Sequence, residues 1–177
     1  MLDISISYDK YKFLGNEFLT WLWYVIETNI NISELIDNNT ENIIFETGNS
    51  IVLENSLGDD STEKISIKGD DAGLEEGATA LKKGAVVTDI NLVMKIDENE
   101  FQFTIKGESM NITGLKTPSA GKIDKNDNIE GALLEKAYLC NSVFQIIDKL
   151  FIVFIKKRIS QDWKNSELVK IRNWVKL

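Results

Sequence analysis

Ala85-Val86-Val87-Thr88-Asp89-Ile90-Asn91-Leu92-Val93-Met94-Lys95-Ile96-Asp97 is the stretch on which the fold turns. Ile90, Leu92, Met94 and Ile96 fall on one side of an extended chain; Asn91, Val93 and Lys95 fall on the other. Period two is the pattern of a strand with one buried face. Glu98-Asn99 reads as a turn, and Glu100 to Lys106 repeats the alternation with Phe101, Phe103 and Ile105. Gly107-Glu108 turns the chain once more into Ser109 to Thr113. Three alternating segments joined by tight turns predict an antiparallel meander.

Upstream, Asn42 to Thr47 and Ser50 to Glu54 are β-like runs separated by Gly48-Asn49, a two-residue hairpin signal. Gly58 to Ser61 reads as a turn, and Thr62 to Lys68 as a strand with Ile65 and Ile67 on one face. Residues 2–8 alternate like a short edge strand.

Helices are expected between these runs. Residues 16–28 are apolar almost all round, with Asn16 as N-cap and Glu17 in the first turn, so this helix must be covered on several sides. A short helix is expected around Ser33–Asp37. Another is expected over Leu74–Lys83, stopped by Gly84. Leu133 to Arg158 reads as one long helix, striped by Val143, Phe144, Ile147, Leu150, Phe151 and Phe154, and about Ser166 to Lys176 as a last one. The expected fold class is α+β: antiparallel sheet strands packed against apolar helices, with a C-terminal helical segment. The expected organisation is an α+β sheet domain over 1–117, a polar linker over 118–132 holding the only proline, and a helical segment over 133–177 packed on the same core.

Composition narrows the chemistry. The 177 residues are 43% hydrophobic and 27% charged, which suits a folded chain. There is no histidine, so a Ser-His-Asp triad, a Cys-His dyad and a His-ligated metal are all excluded. The single Cys140 cannot form an internal disulfide, and it fits a reducing cytoplasm. No unbroken apolar run approaches the roughly 20 residues of a membrane span, and Met1 to Ile4 show no secretory pattern, so no membrane contact is expected.

Net charge is −8, unevenly spread. Glu27 to Glu76 holds thirteen acids and two lysines; Lys149 to Leu177 holds eight basic residues and two acids. An acidic whole disfavours general affinity for nucleic acid, while the basic end can meet phosphate locally. The candidate phosphate contacts are Lys149, Lys156, Lys157, Arg158, Lys164 and Arg172.

Other motifs favour plain readings. Asp124, Asn126, Asn128 and Glu135 match four ligand positions of a calcium loop, but Ile129 replaces the required glycine, so a polar linker is the better reading. Asp59-Asp60 and Asp70-Asp71 read as turn formers beside glycine, and Cys140 as a packed thiol. Trp21, Trp23 and Tyr24 lack the interleaved basic residues of a base-stacking platform, which favours burial. No catalytic group, metal site or cofactor is assigned.

One longer-range resemblance exists. Phe13-Leu14-Gly15-Asn16-Glu17-Phe18-Leu19-Thr20-Trp21-Leu22-Trp23-Tyr24 resembles a segment of the RdgC-like, recombination-associated proteins. Ala80 to Leu92, the Phe101–Ile105 strand and Gly114-Leu115-Lys116 are similar to the C-terminal half of that family, and the apolar helix around Leu133 to Ile155 agrees in position. The resemblance covers most of this chain and about half of a full-length member. It implies a non-enzymatic, cytoplasmic and nucleoid-associated homodimer that binds duplex DNA without sequence preference and modulates recombination. Where the family commonly shows lysines, this chain has Ala85 and Asp89. The alternative expectation is an acidic protein-interaction module on the same scaffold, facing a protein partner without binding DNA. The apolar excess of the 133–158 helix also points to a homodimer.

Overall fold

The computed structural model describes residues 13–38, 41–56, 62–69, 73–118 and 129–176. The expected 2–8 strand, the Gly58–Ser61 turn, both Asp pairs and most of the polar linker lie outside them.

The fold is α+β. In chain order the elements are α1 (Phe13–Glu27), α2 (Ile32–Leu35), β1 (Ile43–Ser56), β2 (Thr62–Lys68), α3 (Gly73–Lys82), β3 (Val86–Ile96), β4 (Asn99–Lys106), β5 (Asn111–Lys116), α4 (Ile129–Ile159), a π-helical turn (Trp163–Glu167) and α5 (Leu168–Lys176). The strands form one antiparallel sheet in the order β2-β1-β3-β4-β5. Alternation decides its faces. Ile90, Leu92, Met94, Phe101, Phe103 and Ile105 are buried, and α1 lies on this side, packed chiefly on β3. The opposite face carries cross-strand polar pairs: Lys95 with Glu46 at 2.7 Å, Lys64 with Glu54 at 3.3 Å, and Lys116 donating to Gln102 at 2.8 Å.

The expected hairpin at Gly48-Asn49 is not formed. β1 runs straight through it as one strand of 14 residues. Thr47 pairs with Leu92 and Ile51 with Ile90, so three residues of β1 face Asn91 alone. The side chain of Asn91 explains why the chain bulges instead of turning back. Its Oδ1 accepts from the Asn49 N–H at 3.3 Å and from Gln102 Nε2 at 3.3 Å. Its Nδ2 donates to the Phe103 carbonyl at 3.2 Å and to Thr104 Oγ1 at 3.0 Å. All four hydrogen-bonding positions of a buried amide are thereby filled, and Gly48 leaves the space that this side chain occupies.

Helix α1 begins at Phe13, so Asn16 sits inside the first turn and is not the N-cap. Close approach fixes this end: a Cβ on Gly15 would run into the Gly107 carbonyl in the turn between β4 and β5. Thr20 adds a second tie, its Oγ1 donating to the Asn16 carbonyl at 2.9 Å and accepting from the Val87 N–H at 3.1 Å.

The C-terminal elements cover the side of α1 away from the sheet. Phe151 and Phe154 of α4 meet Phe18, with ring centroids 5.2 and 5.6 Å apart, and Phe154 also meets Trp21 at 5.7 Å. Trp174 of α5 packs edge-on against Trp23 at 5.2 Å. Helix α4 therefore stacks chiefly on α1 and the π-turn, not on the sheet face as the apolar stripe suggested. It also starts at Ile129, taking in the end of the expected linker, and the last helix starts at Leu168 because the π-turn occupies the residues before it.

Candidate functional site

Helix α4 has 31 residues, about 46 Å at 1.5 Å per residue. Val143, Ile146, Ile147, Leu150 and Phe154 mark its buried face. A second apolar set is left outside. Leu133 is 63% exposed, Leu134 71% and Tyr138 69%, and Phe144, Ile152 and Ile159 are also exposed. From Ile129 to Tyr138 every residue is exposed apart from the partly buried Ala132, so this end of the helix stands clear of the core. Scattered exposed apolar residues are ordinary; a continuous set along one helix marks a contact surface.

By length and composition α4 is also apolar enough to cross a membrane. Counting unbroken apolar runs missed this, because Asn141, Ser142, Gln145, Asp148 and Lys149 divide the stretch. Asp148 and Lys149 are exposed near its middle, where a bilayer would charge several kcal/mol for them.

The six candidate phosphate contacts divide into two groups. Arg158 Nε donates to Glu17 Oε2 at 2.6 Å, and its guanidinium lies 5.6 Å from the Trp163 ring centre. Lys157 pairs at 3.4 Å with Glu167, which also accepts from Lys170 at 3.0 Å. Burial pushes the Glu167 carboxyl up, but the Lys170 hydrogen bond and the charges of Lys157 and Lys170 outweigh it and hold the carboxyl below the ordinary value. Lys170 is raised in return by its hydrogen bond to Glu167. These contacts fasten the end of α4 to α1 and to the π-turn. Lys149, Lys156, Lys164 and Arg172 are exposed and make no ion pair among the described residues. Lys149 and Lys156 stand seven residues apart, and so on one face of α4.

The residues noted for base stacking are core: Trp21 and Trp23 are 1% exposed and Tyr24 is buried. Cys140 is half-buried on α4 and free. Ala85 is buried, so a side chain there does not face solvent. Asp89 lines a cleft of about 420 Å³ on the sheet, with Glu54, Lys64, Lys106 and Glu108 around it. A smaller cavity of about 200 Å³ lies between α1, the π-turn and α5. Among the described residues no three or more Cys, Asp or Glu side chains converge as a metal cage would need.

Comparison with protein-family models gives no match, and neither the curated proteins nor the solved structures give a significant one.

Sequence reading started this helix at Leu133 and did not single out Leu134 and Tyr138 as an exposed set. The signal was present: Leu134 and Tyr138 lie on a different side of the helical wheel from Val143, Ile147 and Leu150.

Proposed function

We propose that this chain works by contact and not by catalysis: it is a protein-interaction module whose docking element is α4. The observation that carries the reading is the second apolar face of α4, exposed through Leu133, Leu134 and Tyr138 while the core is already filled by other residues. The strong excess of acid between Glu27 and Glu76 favours a protein partner over a phosphate backbone. In-cell photo-cross-linking from position 138 tests this. Adducts that protease removes and nuclease leaves are expected. Adducts that nuclease alone removes would overturn it.

A second reading, sequence-nonspecific binding of duplex DNA by an RdgC-like modulator of recombination, is favoured by one observation. Lys149, Lys156, Lys164 and Arg172 stay exposed and unpaired among the described residues. Those four are the phosphate contacts on this reading, with Lys157 and Arg158 held in ion pairs. Anisotropy titration with labelled duplex at low and moderate salt decides it. Binding should weaken steeply with salt, with a log–log slope of about 0.9 per phosphate contact. No binding at low salt removes this reading.

A further inference from the structure

We infer that a second copy of the chain occupies the flank of α4 that runs through Leu133 and Phe144, laid antiparallel and centred on Phe144; this rests on the contact-module reading above.

The spacing of the outward stripe is the first argument. Leu133, Ala137, Phe144, Phe151 and Ile155 succeed one another at four, seven, seven and four residues. Those steps keep them along one side of an α-helix, and they read the same in both directions from Phe144. Phe144 is itself exposed, and Phe151 and Ile155 are only partly covered. A two-fold axis through Phe144 sets Leu133 of each copy against Ile155 of the other, Ala137 against Phe151, and Phe144 against itself. A closed pair of this kind uses one patch twice, as an isologous interface must.

Charge supplies the second argument, and it selects the direction. The same axis sets Glu130 against Arg158, the first turn of one helix beside the basic last turn of the other. Arg158 already shares its guanidinium with Glu17 and keeps further donors for a second carboxylate. A parallel pair would set Glu130 and Arg158 each against its own counterpart and align the two helix dipoles, both unfavourable.

The test uses the full chain with Cys140→Ser, so that introduced cysteines are unique. Under mild oxidation, Phe144→Cys should give a disulfide-linked species of twice the 20.0 kDa chain mass. Leu133→Cys alone and Ile155→Cys alone should stay unlinked, while an equal mixture of the two should link. Linking of Leu133→Cys to itself would overturn the antiparallel arrangement. Sedimentation of the unsubstituted chain should give the doubled mass, falling to one chain for Leu133→Glu with the thermal transition unchanged. A single-chain mass at every concentration, with protein adducts still formed from position 138 in cells, would sink the second copy and leave the contact module standing. Co-sedimentation of the monomer with phosphatidylglycerol vesicles, lost in Leu133→Glu, would overturn both.

Discussion

Along α1, Trp21, Leu22, Trp23, Tyr24, Val25 and Ile26 are buried one after another, whichever way each side chain points. Along α4 burial follows one face, and Leu133, Leu134 and Tyr138 stand in solvent. Both helices are rich in apolar residues, so composition alone does not separate them. Position does. α1 lies between the sheet and the C-terminal elements and is covered on both sides, whereas α4 is an outer layer that, among the described residues, rests chiefly on α1 and the π-turn. A helix needs one apolar face to join a core; a second one has to be covered by something outside that core.

The largest expected effect tests whether the α1–α4 seam is core. Phe154→Ala removes a fully buried ring that touches Phe18, Trp21 and Trp163. It should cost about 3–5 kcal/mol, read as a lower urea midpoint with an unchanged slope. A loss comparable to that of an exposed residue would mean that α4 does not belong to the core at all.

Gly15→Ala comes next. In an open helix this change gains about 1 kcal/mol. Against the Gly107 carbonyl it should instead lose about 1–3 kcal/mol, because helix or turn must shift. Thermal denaturation giving a net gain would show that α1 is not held against the β4–β5 turn.

Glu167 sharpens the comparison at the fastening of the C-terminal segment. Its carboxyl is held low, so it contributes stability above the ordinary glutamate value of about 4.3, and this is lost as pH falls through the lower folded-state value. Glu167→Gln should cost about 1 kcal/mol at neutral pH, discounted because Lys157 and Lys170 are partly exposed. Melting curves of variant and parent should converge on acidification. Curves that stay parallel would mean that the pairing carries no stability.

The smallest effect is predicted for Leu134→Ser, within about 0.5 kcal/mol of the parent, since this side chain packs on nothing in the core. A loss near that of Phe154→Ala would erase the distinction between the two helices.

Much of this arrangement was legible beforehand. Alternation from Ala85 to Lys106 has a single simple solution, and the β3–β4 pairing follows it, with Leu92 against Phe103 and Met94 against Phe101. The all-round apolar character of α1 announced its burial. What stayed hidden depends on partners distant in the chain. Lys157 and Arg158 look like free cations at a helix end until Glu167 and Glu17 are brought beside them. Gly48-Asn49 carries a turn signal that only the side chain of Asn91, some forty residues on, overrides. Nor does a helix's own pattern show which of two apolar stripes the core will take.

That overridden turn has a consequence of parity. Between the pairs Thr47–Leu92 and Ile51–Ile90, β1 advances four residues while β3 advances two. Both counts are even, so Phe45 and Ile51 still face the same side of the sheet. Edits to this stretch are therefore quantised. Removing two residues, or adding two, keeps the inside and outside of β1 in step, while a single-residue change would send every side chain beyond it to the wrong face.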